Sequence, residues 1–561
     1  MTTVLDTLKK HRVVRRAAEF IRARRRSLDI RAEVARTRRS AGFLRELPEP
    51  PAGAPTALIP CLGDWVYGVK TEAMLAVGLK MAGWSVAFVL PRTGGAWAEE
   101  MLRAFGFSRF HRWEDFEMTP AEMQRLTAEA EALLEQAKSF TEMKRMSYAG
   151  CWIGPQVLST LARSLYDTDF DPCDPQVRAA LRRTLVRCLA TIEGAKRLFH
   201  AHPPRLVCVN EANYAHYAAI VDVAIREKIG VLQFIQPARD DAFYFWKLRP
   251  ETRRLHPSTV SREAFDKVKA IEWTAAHEGR LQSLLSDRYS GRWFLQNRNQ
   301  LGTAAKAKET LIAELQLDPA KKTACVFSHV LWDANLFYGD DLFADYGEWF
   351  VETVKAACRN PAVNWLIKYH PANAWKRARE NVTAELAEDM LIRNHVGALP
   401  PHVKILTPSC GISTESIFEA IDYGITVRGT AGLELPCYGV PIFTAGTGRY
   451  SGLGFSIDSQ TKEEYLRRMA GIQEQPPLTA AQQLLAKKHA YAAFCLRPWI
   501  MKSFRAEFRA ARYHSDPLDY NLVPQAASLA DIRQLGDLAE FAAWAASDGA
   551  PDYFSEPTVR D

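Results

Sequence analysis

Short apolar runs alternate with longer helical segments along most of this chain, and this alternation constrains its fold more than any other feature. In the C-terminal half, five runs are predicted as strands: Thr323–Ser328, Val363–Tyr369, Val403–Leu406, Gly424–Arg428 and Pro441–Phe443. The segments between them, such as Gly347–Cys358 and Ser413–Asp422, have helical composition. Strands that alternate with helices predict a parallel, doubly wound sheet of the Rossmann type.

The N-terminal half shows the same alternation. Runs at Thr56–Cys61 and Ser85–Leu90, with a helical segment at Lys70–Ala82 between them, predict a βαβ unit with a right-handed crossover. The pattern resumes at Arg205–Asn210 after a mostly helical section. A chain of 561 residues is too long for one core, because cores usually stop growing at about 250–300 residues. We therefore predict an α/β protein with two Rossmann-like domains.

Composition along the chain sets the predicted boundaries. The segments are a basic amphipathic helical arm (1–46), a Pro-rich linker (47–55), an N-terminal Rossmann-like domain with a helical insertion (56–317), a C-terminal Rossmann-like domain (318–480), and C-terminal helices with a tail (481–561). Within the last part, Thr479–Arg512 is predicted to be helical.

The positive charge is concentrated in the arm. Residues 1–40 hold thirteen Lys or Arg and four acidic residues, which gives a local net charge of +9. The whole chain has a net charge of +7, so the remainder carries −2. The remainder is slightly acidic and has no nucleic-acid-binding motif, so nucleic acid is not an expected partner. A basic amphipathic helix can bind an anionic membrane surface or a partner protein, and a solvated, partly disordered tail is the alternative.

The sequence contains neither a run of about 18 apolar residues nor a secretory signal. It therefore predicts a cytoplasmic protein, or one bound peripherally to the inner face of the plasma membrane. The ten cysteines are scattered without metal-ligand spacing, so neither a metal site nor a cofactor is expected.

The first candidate binding loop is Lys368-Tyr-His-Pro371. Ligands of an open parallel sheet bind outside the carboxyl ends of its strands, and His370 ends a predicted strand just before Pro371 turns the chain away. Both His370 and Lys368 can donate hydrogen bonds to a phosphate. The alternative is a histidine that only caps the strand.

The second loop is Arg428-Gly-Thr-Ala-Gly-Leu-Glu434. A strand, a small-residue loop and a helix start together form a geometry in which backbone N–H groups receive a phosphate. Gly429 and Gly432 leave room for close approach of a ligand, and Thr430 between them is a further predicted donor-binding residue. Glu434 is placed to accept hydrogen bonds from ribose hydroxyls, although a helix dipole also favours an acidic first turn.

The third loop is Thr444–Gly454, which contains four glycines and the pair Arg449-Tyr450. It is predicted to close on an anion, because an arginine can bind phosphate or carboxylate with two hydrogen bonds. An ordinary glycine-rich turn is the alternative.

The order of these motifs resembles the capsule polysaccharide biosynthesis family, which includes bacterial capsule Kdo-transferases. The resemblance covers chiefly residues 320–460 and rests on His370-Pro371, Gly429–Glu434, Tyr438–Pro441 and Tyr450–Gly454. It implies a GT-B fold, with a nucleotide sugar bound by the C-terminal domain and a glycolipid or polysaccharide acceptor bound by the N-terminal domain across a cleft. It also implies that the C-terminal helices and tail (481–561) return to the N-terminal domain. It also implies a metal-independent glycosyltransferase that uses CMP-Kdo or another CMP-sugar, with His370 at the donor phosphate and Glu434 at the ribose.

Catalysis of glycosyl transfer requires stabilisation of the leaving phosphate, for which the three loops supply donors. In an inverting reaction a base must also remove the proton of the acceptor hydroxyl. Asp64 and Glu211 follow N-terminal strands and are the candidates, although each can instead cap the helix after it.

The loop Ser328–Asn335 supplies His329, Asp333 and Asn335 as candidate substrate contacts. The aromatic residues near it can stack on a sugar or pack onto the domain.

Three other functions fit the same motifs. Two are enzymatic, a glycerophosphotransferase that uses CDP-glycerol and a sugar-nucleotide epimerase, and the third is a non-catalytic protein of capsule assembly or regulation. In a capsule system, an assembly protein is a further candidate partner for residues 1–40.

Overall fold

The computed structural model describes residues 23–166, 170–171, 173–237, 239–297, 302–332, 336–373, 385–508 and 519–556. The chain forms two compact units. Unit one consists of Met1–Asp115 and Met501–Ser547, and unit two of Phe116–Ile500 and Asp548–Asp561. The boundaries between the two units, at 115/116, 500/501 and 547/548, differ from the predicted domain boundaries. The predicted boundaries stay a prediction.

The described residues contain seventeen strands. They are β1 (Thr56–Pro60), β2 (Ser85–Leu90), β3 (Phe110–Arg112), β4 (Ser147–Tyr148), β5 (Cys151–Trp152), β6 (Leu206–Val209), β7 (Gly230–Ile235), β8 (Ala242–Leu248), β9 (Thr323–Phe327), β10 (Asn364–Lys368), β11 (Val403–Leu406), β12 (Tyr423–Thr426), β13 (Ile442–Thr444), β14 (Ile457–Asp458), β15 (Trp499–Ile500), β16 (Phe504–Phe508) and β17 (Tyr520–Pro524).

Helices connect most of these strands, beginning with a helix over 23–40. The others are α1 (Val66–Met81), α2 (Ala96–Ala104), α3 (Pro120–Gln136), α4 (Phe140–Lys144), α5 (Gly154–Leu165), α6 (Pro175–Ala201), α7 (Ala215–Arg226), α8 (Arg262–Ala270), α9 (Ala275–Asp287), α10 (Phe294–Asn297), α11 (Lys308–Glu314), α12 (Tyr346–Arg359), α13 (Ala387–His395), α14 (Thr414–Ala420), α15 (Ala431–Glu434), α16 (Lys462–Ala470), α17 (Ala480–Tyr491), α18 (Leu529–Leu535) and α19 (Asp537–Ala546). No helix in this described part of the chain is long and apolar enough to cross a bilayer.

The C-terminal sheet of unit two is parallel throughout and has the strand order β11-β10-β9-β12-β13-β14. This is the 3-2-1-4-5-6 order of the Rossmann fold, which reverses direction between β9 and β12 and leaves a crevice at their carboxyl ends. The predicted α/β class with a doubly wound parallel sheet is confirmed.

Both faces of this sheet are covered by helices. Trp365 and Ile367 of β10 pack into one apolar cluster, whereas Leu366 between them packs into the cluster on the opposite face. Because successive side chains of a strand point to opposite faces, the strand reads as a continuous apolar run when both faces are buried.

Unit two also contains strands that the sequence did not predict. Strands β6 and β7 are parallel, but β8 pairs antiparallel with β7, and β15 pairs antiparallel with β8. The helical prediction for Thr479–Arg512 is therefore wrong beyond Leu496, where a π-helical turn over Ala492–Leu496 ends. Trp499 and Phe504 are buried apolar residues on strands β15 and β16. Their packing in the sheets overrides the helical preference of the local composition.

Unit one contains the described part of the arm. Strands β1, β2 and β3 are parallel neighbours there. Ile30 and Val34 of the helix over 23–40 are buried, and Glu33 pairs with the buried ammonium of Lys70. These contacts make residues 23–46 part of a folded core, so this portion is not a solvated tail. The rest of the predicted arm, 1–22, lies outside the described residues.

Candidate functional site

A cavity of about 520 Å³ lies in unit two at the carboxyl ends of β9, β10 and β12. Segments that follow β6 and β8 complete its wall. Nine residues predicted from the sequence line it: Glu211, His329, Lys368, His370, Pro371, Gly429, Thr430, Glu434 and Arg449. The three predicted loops therefore meet at one place, as expected for the crevice of a doubly wound sheet.

Three other predicted site residues in the described part of the chain do not line this cavity. Gly432 and Tyr450 lie just behind its wall, where the Tyr450 hydroxyl donates to the carbonyl of Gly429 over 3.0 Å. A Cβ on Gly432 would collide with that hydroxyl, so this pair holds the loop in shape. Asp64 belongs to unit one and forms an exposed ion pair of 2.7 Å with Arg26. Asp333 and Asn335 lie outside the described residues.

Lys368 presents a buried cation at the end of β10. Its side chain is 8% exposed, and burial lowers the pKa of its ammonium. Among the described residues the ammonium has neither a hydrogen-bond acceptor nor a carboxylate partner. Lysine is seldom buried without a partner, so this position is suited to receive an anion.

His370 follows Lys368 in a turn that fixes its tautomer. Its Nδ1 accepts a hydrogen bond of 3.1 Å from the backbone N–H of Ala372. A neutral ring that accepts at Nδ1 carries its proton on Nε2. His370 is therefore set as a hydrogen-bond donor at Nε2 and not as a base.

A buried polar network supports this turn from below. The Ser328 hydroxyl accepts from the backbone N–H of His370 over 2.8 Å and donates to Oε1 of Glu388 over 3.0 Å. The Asn373 amide donates to the same oxygen. Burial raises the pKa of Glu388 to about 7. Glu388 was not predicted, because only its tertiary contacts with Ser328 and Asn373 place it beneath this turn.

The loop after β12 is held by His329, which follows β9. The backbone N–H of Val427 donates to Nε2 of His329 over 3.1 Å, and the N–H of Gly429 donates to the Thr426 hydroxyl over 3.1 Å. The ring packs against Tyr346, with centroids 4.4 Å apart. Burial, with nearby cations, lowers the pKa of His329 well below its usual range, so the ring is neutral and carries its proton on Nδ1.

Arg449 brings a second cation to the cavity. Its guanidinium donates to the hydroxyls of Ser258 at 3.0 Å and Thr430 at 3.1 Å, and to the carbonyl of Arg428 at 3.2 Å. All three acceptors are neutral, and no carboxylate pairs with Arg449 in the portion that the structure describes. Arg428 differs, because Asp341 neutralises its charge.

Glu434 is oriented by an arginine that the sequence analysis missed. Arg288, at the end of α9, donates from Nε to Oε1 of Glu434 over 2.6 Å, and both side chains are buried. Arg288 occupies Oε1 of Glu434. The contact of Glu434 with a ribose stays a prediction.

Glu211 lies on the wall formed by the N-terminal strands. Its Oε1 accepts hydrogen bonds of 2.7 Å from the backbone N–H groups of Ala212 and Asn213, in the turn before α7. These bonds hold the turn but do not cap α7, whose N-cap residue is Tyr214 and has no side-chain capping bond. Glu211 also lines the cavity.

The aromatic residues near His329 divide between the two roles expected for them. Trp332 and Phe337 are fully buried and pack onto the domain. Tyr338 lines the cavity, and its hydroxyl accepts a hydrogen bond of 2.5 Å from the amide of Asn213.

His256 is a further lining residue that the sequence analysis missed. It is followed by Pro257, so the chain contains a second His-Pro pair after a strand, eight residues beyond the end of β8. The His-Pro pair was a partial signal for this residue, but His256 does not end its strand as His370 does, and β8 itself was not predicted.

Comparison with known proteins gives similarity to solved structures alone, since no protein-family profile and no curated protein sequence matches the chain. The beta Kdo 2,4 transferase of Thermosulfurimonas dismutans KpsC is 13% identical over 60% of this chain and 88% of its own, with a TM-score of 0.31. The beta Kdo 2,7 transferase of the same protein is 14% identical over 62% and 88%, with a TM-score of 0.29.

A UDP-GlcNAc 2-epimerase from Neisseria meningitidis is 9% identical over 77% of this chain and 95% of its own, with a TM-score of 0.26. Substrate and residue roles are therefore argued from the geometry of the site and not from these similarities. Kdo-transferases, which the sequence motifs resemble, are among the solved structures to which this chain is similar.

Proposed function

We propose that this protein is a glycosyltransferase that binds the phosphate of a nucleotide sugar in the cavity at the carboxyl ends of β9, β10 and β12. One observation carries the proposal: Lys368 and Arg449 bring two cations to this cavity, and neither has a carboxylate partner among the described residues. Charged groups removed from water are normally paired, so an anionic ligand is the natural partner for both.

Neutral donors next to these cations favour a phosphate. In our proposal Nε2 of His370 donates to a phosphate oxygen next to the Lys368 ammonium. Gly429 and Thr430 line the cavity. The absence of a side chain on Gly429 leaves room for the Thr426 hydroxyl, which accepts the Gly429 N–H and holds the loop in place. Donors that are already in place stabilise the negative charge that develops on a leaving phosphate, without reorganisation during the reaction.

The reaction that follows is transfer of the sugar to an acceptor hydroxyl. The bond between the anomeric carbon and the phosphate oxygen breaks, its electron pair stays on the phosphate, and the acceptor oxygen forms the new bond. In an inverting reaction the acceptor proton moves to a base. We assign this role to the carboxylate of Glu211, because the three cavity histidines accept backbone N–H groups and are set as donors.

A CMP-sugar such as CMP-Kdo is the proposed donor and a capsule or other surface polysaccharide the proposed acceptor, following the motif resemblance of residues 320–460. Glu434, held by Arg288, is assigned to the ribose hydroxyls. Residues 1–40 are proposed to bind an anionic membrane surface or a partner of capsule assembly.

A thermal-shift screen of the purified chain against CMP, CDP, UDP, GDP and ADP tests the proposal. A nucleotide at about 100 times its dissociation constant stabilises the fold by about 2.7 kcal/mol. We expect cytidine nucleotides to stabilise the protein, and Lys368→Gln and His370→Ala to lose most of this effect. Arg145→Gln is the matched control, because this exposed arginine lies outside the cavity.

Stabilisation by UDP or GDP instead of CMP would retain the transferase and contradict the CMP donor. Stabilisation by none of the five would contradict the proposed function. Product analysis then separates the enzymatic alternatives: an epimerase converts the free nucleotide sugar without an acceptor, and a glycerophosphotransferase releases CMP from CDP-glycerol. A chain that binds nucleotide but turns over none of these donors would favour the non-catalytic alternative.

A further inference from the structure

Arg449 and His256 are connected through one hydroxyl group. Nη1 of Arg449 donates to Oγ of Ser258 over 3.0 Å, and this oxygen lies 2.7 Å from Nδ1 of His256. Because the arginine can only donate, the hydroxyl proton is left for the histidine. The backbone N–H of Ser258 donates to the same Nδ1 over 3.1 Å.

These contacts set His256 as a neutral donor. A ring that accepts at Nδ1 carries its proton on Nε2, at the opposite edge. Among the described residues, Nε2 of His256 has no hydrogen-bond partner, and the ring lines the cavity. Burial, together with Arg449, Arg428 and Arg497, lowers the pKa of His256 well below its usual range. The ring therefore stays uncharged near neutral pH and keeps its Nε2–H.

Arg449 retains donors for a ligand as well. Its hydrogen bonds to Ser258, Thr430 and the carbonyl of Arg428 use three N–H groups. A guanidinium has five such groups, so two have no acceptor among the residues that the structure describes. Charge-assisted hydrogen bonds from arginine to an oxyanion are among the strongest that proteins make.

This second donor group is built from other elements than the first. Lys368 and His370 lie at the end of β10, whereas His256 follows β8 and Arg449 follows β13. His329 lines the same cavity as both groups. The cavity thus has two sets of anion donors.

We propose that Arg449 and His256 form a second anion subsite, which takes an acidic group of the donor other than the phosphate attached to the nucleoside. The inference rests on the proposed function. Two sources share the required chemistry, an oxyanion with at least two acceptor oxygens: the carboxylate of an acidic sugar or a second phosphate. Ser258 is the positioning residue, because it acts through His256 and Arg449.

Calorimetric titration with three probes tests the subsite: CMP, which has one phosphate, CDP, which has two, and CMP-N-acetylneuraminate, which has a phosphate and a carboxylate. The variants are Arg449→Gln, Arg449→Lys, His256→Phe and His256→Gln, with Arg145→Gln as the control for loss of one positive charge. Thermal unfolding of each variant without ligand checks that it is folded.

We expect Arg449→Gln and His256→Phe to weaken binding of at least one two-anion probe about tenfold or more, since hydrogen bonds to charged groups have this magnitude. Binding of CMP should change less than about threefold. His256→Gln, which keeps an N–H donor, and Arg449→Lys, which keeps the charge, should recover part of the loss. Ser258→Ala should reproduce the selective loss, and Ser258→Thr should restore binding.

The affected probe identifies the source. A loss for CDP alone assigns the subsite to a second phosphate, and a loss for CMP-N-acetylneuraminate alone assigns it to a carboxylate. Equal weakening of all three probes, or no weakening in folded variants, would overturn the subsite while leaving the proposed function intact. If no nucleotide binds, the proposed function fails, and pyrophosphate becomes the probe: binding that Arg449→Gln abolishes supports the subsite, and any other result overturns it.

Discussion

The guanidinium of Arg288 donates from Nε to Oε1 of Glu434 over 2.6 Å, with the two side chains 7% and 3% exposed. The pair joins the end of α9 to the turn that follows the Gly429 loop. Burying two charges is costly, and removing one partner leaves the other uncompensated.

We expect Arg288→Leu to destabilise the protein by about 3–5 kcal/mol, because the Glu434 carboxylate would stay buried without the cation that pairs with it. The double variant with Glu434→Leu should recover most of this loss. Urea denaturation measures both. The exposed pair of Arg182 and Glu131 is the control, since breaking it should cost at most about 1 kcal/mol. A double variant as unstable as Arg288→Leu would contradict the argument.

Lys368→Met should separate stability from binding. The ammonium of Lys368 is buried without a partner among the described residues, so removing its charge should leave the free energy of unfolding unchanged or raise it by about 1 kcal/mol. Nucleotide affinity should fall about tenfold or more, as for other hydrogen bonds to charged groups. Chemical denaturation and calorimetric titration give the two quantities. A variant that loses stability and keeps its affinity would show that Lys368 is a structural residue.

Gly432→Ala should disturb the loop without changing its charge. The new methyl group would collide with the Tyr450 hydroxyl, which donates to the Gly429 carbonyl. Overpacking of this kind usually costs about 1–3 kcal/mol. Nucleotide binding should weaken in parallel, because the loop lines the cavity. Gly279→Ala is the matched control: its Cβ meets no atom within 4 Å, and alanine should stabilise helix α9 by up to about 1 kcal/mol.

Glu388→Gln should change the pH dependence of stability. The pKa of Glu388 is raised to about 7 from an ordinary value of 4.5. The native state therefore holds a proton that the unfolded chain has lost between these values, and stability from this group falls as pH rises from about 4.5 to about 7. Glutamine does not titrate, so the variant should gain up to about 3 kcal/mol relative to the wild type between pH 4 and pH 8.

Urea denaturation of the two proteins at several pH values measures this gain. A constant difference between them across that range would mean that Glu388 titrates at its ordinary pKa.

Glu211→Gln tests the assignment of the base. If Glu211 removes the proton of the acceptor hydroxyl, the rate of sugar transfer should fall about 10²–10⁴-fold, whereas the dissociation constant of the nucleotide should change less than about threefold. Asp64→Asn is the companion variant, because Asp64 was the other carboxylate candidate. A large loss in Asp64→Asn with an active Glu211→Gln would exchange the two assignments.

Local pattern alone was sufficient to predict the C-terminal sheet. Five of its six strands were predicted, because a strand such as β10, buried on both faces, is a continuous apolar run between helices. Loops at the carboxyl ends of such strands converge, so the order of the motifs was enough to assign Lys368, His370, Gly429 and Glu434 to one site.

Only the tertiary structure decided which partners these residues have. Arg288 lies 146 positions from Glu434, and Ser258 lies 191 positions from Arg449, so no local periodicity connects them. The composition around Trp499 predicted a helix, but pairing with β8 makes this segment strand β15. Sequence thus determined which segments form the sheet and where ligands approach it, while burial and long-range hydrogen bonds determined which cations of the described residues remain unpaired for an anion.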